Sequence, residues 1–380
     1  MSGGGADGPP VRVGLIGAGR IVERVHLPLL RRMRDVSPVG LFDPARERAE
    51  ALASKFGLPR VCRTLGELLE LGPAAVLVAS PNHLHAAQSI AALEAGADVL
   101  CEKPLATSAA DAELMLEATR RTGRSLMVAF TNRFRPEVVA LRRAVGEGRL
   151  GRVGAVRCGW LRRQGVPGVG TWFTSRESAG GGALTDIGSH LVDLAVWLSG
   201  RREVSEACCL LERPSGGGAQ ASWYSPAERP AAGVSDVEVG ASGFAVLGGP
   251  AAEAREQREA QESRHVSLFV EASWAGAVPY DRTYLHLYGE HGSARLETLF
   301  GLSPSAERPE YVLRVWEQRR GLLSETSDVR DALAPYRAQW RFFLDSLPDP
   351  DRLRPMLQDA VATVRVVEAL YLAARRFTRA

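Results

Sequence analysis

The chain has 380 residues, 45% hydrophobic and 24% charged, with a formal net charge of +3 at pH 7. Such a length favours two domains over a single core, and the composition is that of an ordinary soluble globular protein. Charge so near balance, with no basic run interleaved with aromatics, argues against nucleic acid as a partner, and no apolar run reaches the ~18 residues of a membrane-spanning helix. The opening MSGGGADGPP has neither the basic nor the apolar region of a signal peptide and reads as a disordered tail over residues 1–10. Five cysteines, at 62, 101, 158, 208 and 209, contain no C-x-x-C and no zinc-ligand spacing. No metal site is expected, and a reduced, cytoplasmic setting fits them.

The first element is a buried strand, VRVGLI at 11–16, which runs into Gly17-Ala18-Gly19-Arg20-Ile21 and then an amphipathic helix that Pro28 should kink or break. Strand, G-x-G, helix is the setting of a dinucleotide fingerprint: the first glycine permits the turn, and the second lets backbone approach a pyrophosphate at the helix N-terminus. Val22 occupies the third glycine position. A second strand, 39–43, ends in Asp43, where such folds bind the ribose 2′-hydroxyl of NAD and repel the 2′-phosphate of NADP. Arg46 and Arg48 follow closely, and Asp43 ahead of Pro44 is equally placed to cap the next helix. Strands at 74–80 and 97–102 end in Ser80-Pro81-Asn82-His83-Leu84-His85 and in Glu102-Lys103-Pro104, and a further strand spans 125–130. Alternating strands and helices from 11 to 131 predict a doubly wound parallel sheet. Gly17, Asp43, Ser80 to His85 and Glu102 to Lys103 all fall at carboxyl ends of its strands, where such sheets bind ligands. Asn82 and His85 would line the nicotinamide pocket, or simply form a polar turn.

Only two of the 47 basic residues are lysines, Lys55 and Lys103. An ammonium is a compact charge that arginine does not replace, which draws attention to position 103.

From 132 to 380 the pattern changes to strands without interleaved helices, near 204–212, 236–247, 265–275, 283–290 and 311–317, after one starting at 153. They predict a mostly antiparallel open sheet in a second α+β domain. Residues 213–233 and 249–263 read as surface insertions, and helices near 336–346 and 355–378 close the chain. Within this domain GGGALTDIGSHLVDLAVWLSG, 180–200, predicts a helix stopped by Gly200, with Asp186 and His190 four apart on one face. A carboxylate beside an imidazole can orient it as a general acid/base, although such a pair is often only a solvated one.

These motifs together resemble the Gfo/Idh/MocA oxidoreductases, the glucose–fructose oxidoreductase and inositol dehydrogenase group. GLIGAGRIVERVHLP, SPNHLHAAQSIAALEAGADVLCEKPLA, NRFRP and GGGALTDIGSHLVDLAVWLSG occur in the family's order over nearly the whole chain. The departures are Val22 and the two insertions. What the resemblance implies is a Rossmann domain plus an open-sheet domain whose face mediates homodimers or homotetramers. It also implies NAD(P)-dependent hydride transfer at a secondary alcohol or ketone of a sugar, sugar nucleotide or cyclitol. By motif, Lys103 is the lysine that contacts substrate hydroxyl and nicotinamide region, and Asp186 and His190 form the acid/base pair with His190 as base. Gly17, Gly19, Arg20, Ile21, Asp43, Ser80, Asn82, His85, Glu102 and Lys103 are the expected cofactor-binding residues. Arg133, Trp172 and Phe173 join Lys103, Asp186 and His190 as expected substrate contacts, core packing being the commoner fate of Trp172 and Phe173. Two other readings stay open: an enzyme of this fold that uses NAD transiently to cleave glycosides, and a non-catalytic NAD(H)-binding regulator.

Overall fold

Apolar runs without alternation need cover on both faces, and the computed structural model gives it to them. It describes residues 9–163, 165–213, 235–248, 265–301, 310–318, 320–328 and 331–377. Strands β1 (Val11–Ile16), β2 (Val36–Phe42), β3 (Val61–Cys62), β4 (Ala75–Val78), β5 (Asp98–Cys101) and β6 (Leu126–Val128) form one sheet in the order β3-β2-β1-β4-β5-β6. All its pairings are parallel. Val76, Leu77, Val99 and Leu100 are completely buried. The order reverses between β1 and β4, so the crevice outside the carboxyl ends of these two strands is the topological switch point where doubly wound sheets take ligands. Pro38 lies inside β2, opposite the register shift between Val13 and Gly14. A residue without an N–H is tolerated in a strand at such an irregularity.

The helix after Gly19 is not regular. Val22–His26 is wound as a π-helical turn, with Leu27 N–H bonding Val22 O, before the α-helical Leu27–Leu30. Pro28 has no N–H to continue the ladder, and the wider turn directly precedes it.

The second unit is built on β7 (Val153–Leu161), β8 (Glu203–Glu212), β9 (Gly240–Gly248), β10 (Val266–Ser273), β11 (Arg282–Gly289), β12 (Gly292–Thr298), β13 (Glu310–Glu317) and β14 (Gly321–Asp328). Their order is β14-β13-β12-β11-β7-β10-β9-β8. Only β7 and β10 pair in parallel, so the sheet is mostly antiparallel, as expected. Alternation sets its two faces: Val156, Cys158 and Trp160, Leu268 and Val270, and Leu285 and Leu287 point into one core with Leu191, Leu194 and Leu198. The opposite face leaves Phe269 40% and Trp316 45% exposed.

By contacts the chain divides into two compact units. One comprises residues up to Ala106 with Ala110–Ala129 and Tyr336–Leu357, and the other Thr107–Ala109, Phe130–Pro335 and Gln358 onward. Most of the helix Ala334–Ser346 therefore belongs with the first sheet. The insertions expected at 213–233 and 249–263 lie outside the described residues except Arg213, as does the N-terminal tail except Pro9 and Pro10. Among the described residues no helix is long and apolar enough to cross a membrane.

Candidate functional site

In the first unit the candidate residues gather at the carboxyl ends of β1, β2, β4 and β5. Gly17 has φ +101, and a Cβ there would stand 2.5 Å from the Ala79 carbonyl oxygen, so neither the backbone nor the space admits a side chain. A Cβ at Gly19 would meet nothing within 4 Å. The first glycine thus makes the turn, and the second opens onto space of the kind a pyrophosphate occupies. Val22, at the third position of the fingerprint, is completely buried inside the π-helical turn. Arg20 and Ile21 open this helix and are half-buried.

Asp43 follows β2 with both carboxylate oxygens anchored. Oδ2 accepts the Ala18 N–H at 2.7 Å and Oδ1 the Ala45 N–H at 2.8 Å. It therefore ties the glycine turn to the end of the second strand while caps and ribose contacts remain compatible, because a carboxylate offers about four lone-pair sites. Arg46 is exposed and paired with Glu50 one turn on.

Beyond β4, Ser80 Oγ bonds the Gln88 side chain at 2.6 Å, and Asn82 is buried in a short 3₁₀ turn. His85, expected at the nicotinamide, is instead buried with Nδ1 2.7 Å from Pro104 O and Nε2 2.9 Å from Ser80 O. Its ring staples the turn after β4 to the turn after β5. Burial pulls the imidazole below its ordinary value, while the two carbonyls oppose the shift. A neutral ring can donate to only one of these oxygens. Glu102 and Lys103 follow β5, and Glu102 Oε2 accepts the Lys103 N–H at 3.2 Å. His26 and Trp340, which sequence reasoning did not single out, join this turn: His26 Nε2 is 2.9 Å from Glu102 Oε1, and Trp340 Nε1 is 2.9 Å from His26 Nδ1.

In the second unit the 180–200 segment is a π-helical turn at Leu184–Gly188 followed by the helix Ser189–Ser199, stopped by Gly200 at φ +69. Asp186 lies on the π turn and His190 in the first turn of the helix, both half-buried. Asp186 Oδ2 accepts the Trp274 indole N–H at 2.9 Å. The Arg162 guanidinium is buried near Asp186 and Asp281; burial pulls it below its ordinary value, and the two carboxylates oppose this. His190 sits among rings, with Phe130 edge-on at 5.8 Å and Trp160 tilted at 5.7 Å. Arg162 also lies over Trp160, 5.3 Å from its centroid. Arg162, Trp160 and Trp274 are the neighbours that sequence reasoning missed. The WLRR string at the end of β7 was the one available signal.

The entry of this helix is fixed from outside. Glu238 Oε1 accepts the N–H groups of Gly182 (2.9 Å) and Leu184 (3.1 Å) and the Tyr371 hydroxyl (2.6 Å). The Glu238 carbonyl accepts the Ala183 N–H. A Cβ on Gly182 would lie 1.9 Å from that carbonyl oxygen. The glycine run is therefore a site of close approach rather than a loose tether.

Trp172 and Phe173 stack on each other at 3.9 Å on a 3₁₀ turn and are half-buried. Arg133, expected to touch substrate, is placed in the core at 3% exposure. Its Nε and NH2 grip both oxygens of Asp193 at 2.8 and 2.6 Å, and NH1 reaches Asp359 at 3.1 Å. With the fork committed to two carboxylates, it braces the helix one turn beyond His190 instead of facing a ligand. Arg133→Ala leaves buried Asp193 without its partner and Asp359 with Arg202 alone. It is expected to lower unfolding stability by about 3–5 kcal/mol in a denaturant titration. A variant of unchanged stability but raised substrate KM would return Arg133 to the pocket.

Two family models match the chain. The first, described as "Oxidoreductase family, NAD-binding Rossmann fold", covers residues 11–130, and the second, "GFO/IDH/MocA C-terminal domain", covers 138–258. A protein of Amycolatopsis mediterranei (strain S699) that carries the name UDP-kanosamine synthase oxidoreductase subunit is 32% identical over 96% of this chain and 96% of its own. The D-glucoside 3-dehydrogenase of Escherichia coli (strain K12) is 39% identical over 50% of this chain and 54% of its own. Among solved structures, a levoglucosan dehydrogenase in complex with NADH and levoglucosan has the same fold. It superimposes with a TM-score of 0.75 at 22% identity, over 97% of each chain.

Proposed function

Since the chain belongs to the Gfo/Idh/MocA oxidoreductases and carries their NAD-binding Rossmann domain, we propose that it transfers hydride between NAD and a secondary alcohol or ketone on a polyhydroxylated ring, a sugar, sugar nucleotide or cyclitol. The observation that carries this reading is the convergence of Gly17, Asp43, Ser80, Glu102 and Lys103 on the carboxyl ends of adjacent parallel strands. The names of the two sequence relatives, one of a glucoside dehydrogenase and one of a sugar-nucleotide oxidoreductase subunit, support the substrate class.

The Gly17–Gly19 turn would hold the pyrophosphate and Asp43 the ribose of the cofactor. Bound NAD supplies a ring carbon that accepts or returns hydride. As the carbon gives up hydride its hydroxyl must give up a proton, so a base is needed within hydrogen-bond reach of that oxygen. His190 takes this role. The rings of Phe130 and Trp160 limit the orientations of its imidazole, and Asp186, itself held by Trp274, is the carboxylate that supports the imidazolium. Lys103 supplies an ammonium that stabilises negative charge developing on the oxygen. Trp172, Phe173 and Arg162 remain as ring-covering and hydroxyl-gripping groups.

The setting we infer is cytoplasmic, supported by five free cysteines. The aromatic outer face of the eight-stranded sheet, with Phe269 against Phe244 at 4.9 Å, is the surface we assign to a homodimer or homotetramer. The arginine-flanked aromatics there resemble those enriched in protein interfaces.

Fluorescence titration tests the cofactor assignment first. With Asp43 anchored as a carboxylate, NADH should bind at least about tenfold more tightly than NADPH, and the reverse preference would transfer selection to Arg46 or Arg48. In a screen of sugars and cyclitols, Lys103→Met should retain NADH binding while kcat falls about 100-fold or more; undiminished turnover would remove the lysine from the chemistry. His190→Ala should lose about 100-fold or more in kcat together with the low-pH limb of its pH–rate profile. An unaltered profile would assign the base elsewhere.

A further inference from the structure

We propose that His26 is a positioning residue for the Glu102-Lys103 turn, fixed in one tautomer by Trp340 so that it donates a hydrogen bond to Glu102. The inference rests on the role given to Lys103 above, and all four residues belong to the first unit.

The direction of each hydrogen bond follows from what each group can do. An indole N–H only donates. Trp340 Nε1 is 2.9 Å from His26 Nδ1, so Nδ1 presents its lone pair and the ring proton resides on Nε2. Nε2 is 2.9 Å from Glu102 Oε1 and donates to it. The other carboxylate oxygen accepts the Lys103 N–H. His26 and Trp340 are completely buried, and the Glu102 side chain is 12% exposed, so water is a poor substitute for any of these partners. A second proton on the imidazole would set Nδ1–H against the indole N–H. The ring is therefore neutral and the charge of the network resides on Glu102. Burial by itself would push the Glu102 carboxyl up, but the hydrogen bond from His26, with the Lys103 charge and backbone N–H beside it, brings it below its ordinary value.

The local fold serves this arrangement. His26 is the last residue of the π-helical turn at Val22–His26, and its ring meets Trp340 edge-on at 5.8 Å. Trp340 comes from the helical segment that returns to the first unit late in the chain. The consequence is a carboxylate fixed in place and in protonation state next to the lysine. His26 acts through Glu102 and is not assigned any contact with substrate.

The scarcity of lysine supplies the test. Lys103 and Lys55 are the two lysines of the chain, and Lys55, 59% exposed in a surface pair with Glu23, serves as an internal standard. The full-length protein and its variants would be treated briefly with acetic anhydride at fixed pH, and the Lys103 to Lys55 acetylation ratio read by peptide mass spectrometry. A carboxylate fixed beside an amine favours its ammonium form, which does not acylate, so His26→Leu should raise the ratio about threefold or more. His26→Gln can accept from Trp340 and donate to Glu102, and should hold the ratio within about 1.5-fold of the unaltered protein. His26→Asn accepts from Trp340 but is too short to reach Glu102, so it should behave as the leucine variant does, and it carries the comparison should His26→Leu not fold. An unchanged ratio in the asparagine variant, or a rise in the glutamine variant equal to that in asparagine, overturns the proposal. Acetylation needs neither NAD nor substrate, so this outcome is separate from whether any alcohol is oxidised. Where turnover is found, His26→Asn should lower kcat about tenfold with the KM for NAD within about twofold; a change confined to KM would also overturn it.

Discussion

One carboxylate decides how the helix bearing Asp186 and His190 begins. Peptide N–H groups at a helix start have no partner within the helix, and here two of them, with a tyrosine hydroxyl, turn toward the Glu238 side chain while a third meets the Glu238 carbonyl. The backbone can come that near only because residues 181 and 182 lack a Cβ. Once the start is fixed, Asp186 falls where Trp274 can donate to it, and His190 falls among Phe130 and Trp160. Downstream, Arg133 holds Asp193 bidentately, so the helix is pinned by charge on both sides of His190. Burial pushes the Glu238 and Asp193 carboxyls up, and the hydrogen bonds to Glu238 Oε1 and to both oxygens of Asp193 oppose that shift.

The first unit reaches the same end differently. Parallel strands all deliver their carboxyl ends to one edge, so residues distant in sequence arrive together without any contact of their own. Asp43 binding the Ala18 N–H and His85 bridging Ser80 to Pro104 then lock neighbouring loops to one another. A rim so cross-tied loses little further freedom when a dinucleotide is bound, and affinity benefits from order already present.

What the sequence made legible was local. A continuous apolar run signals a strand buried on both faces, and Gly17 or Gly200 signals a backbone turn, because each is read within a few residues. For the same reason Arg133 was legible as a basic residue after a strand end, but its partners are 60 and 226 positions away, and nothing near it distinguishes a core anchor from a ligand contact. His85 showed the same difficulty: its position at a strand end was right, and its ring's engagement by two carbonyls was invisible. β12 escaped notice because its buried face, Gly292, Ala294, Leu296 and Thr298, carries a single large apolar side chain, and β14 because GLLSETSD carries little apolar alternation. The bond between Trp340 and His26 spans 314 positions and left only a histidine in an otherwise apolar stretch as its trace.

The two units also distribute charge unevenly between the groups given chemical roles and those that support them. In the proposed reaction Lys103 and His190 meet the substrate oxygen, so their hydrogen bonding changes as substrate comes and goes, while the carboxylates beside them stay anchored. Glu102 is held by the His26 imidazole and a backbone N–H, and Asp186 by an indole. Such support holds the surroundings of Lys103 and His190 in place while, in the proposed reaction, His190 takes the proton and Lys103 faces the developing charge. Preorganised dipoles of this kind lower a barrier without having to reorient during the reaction.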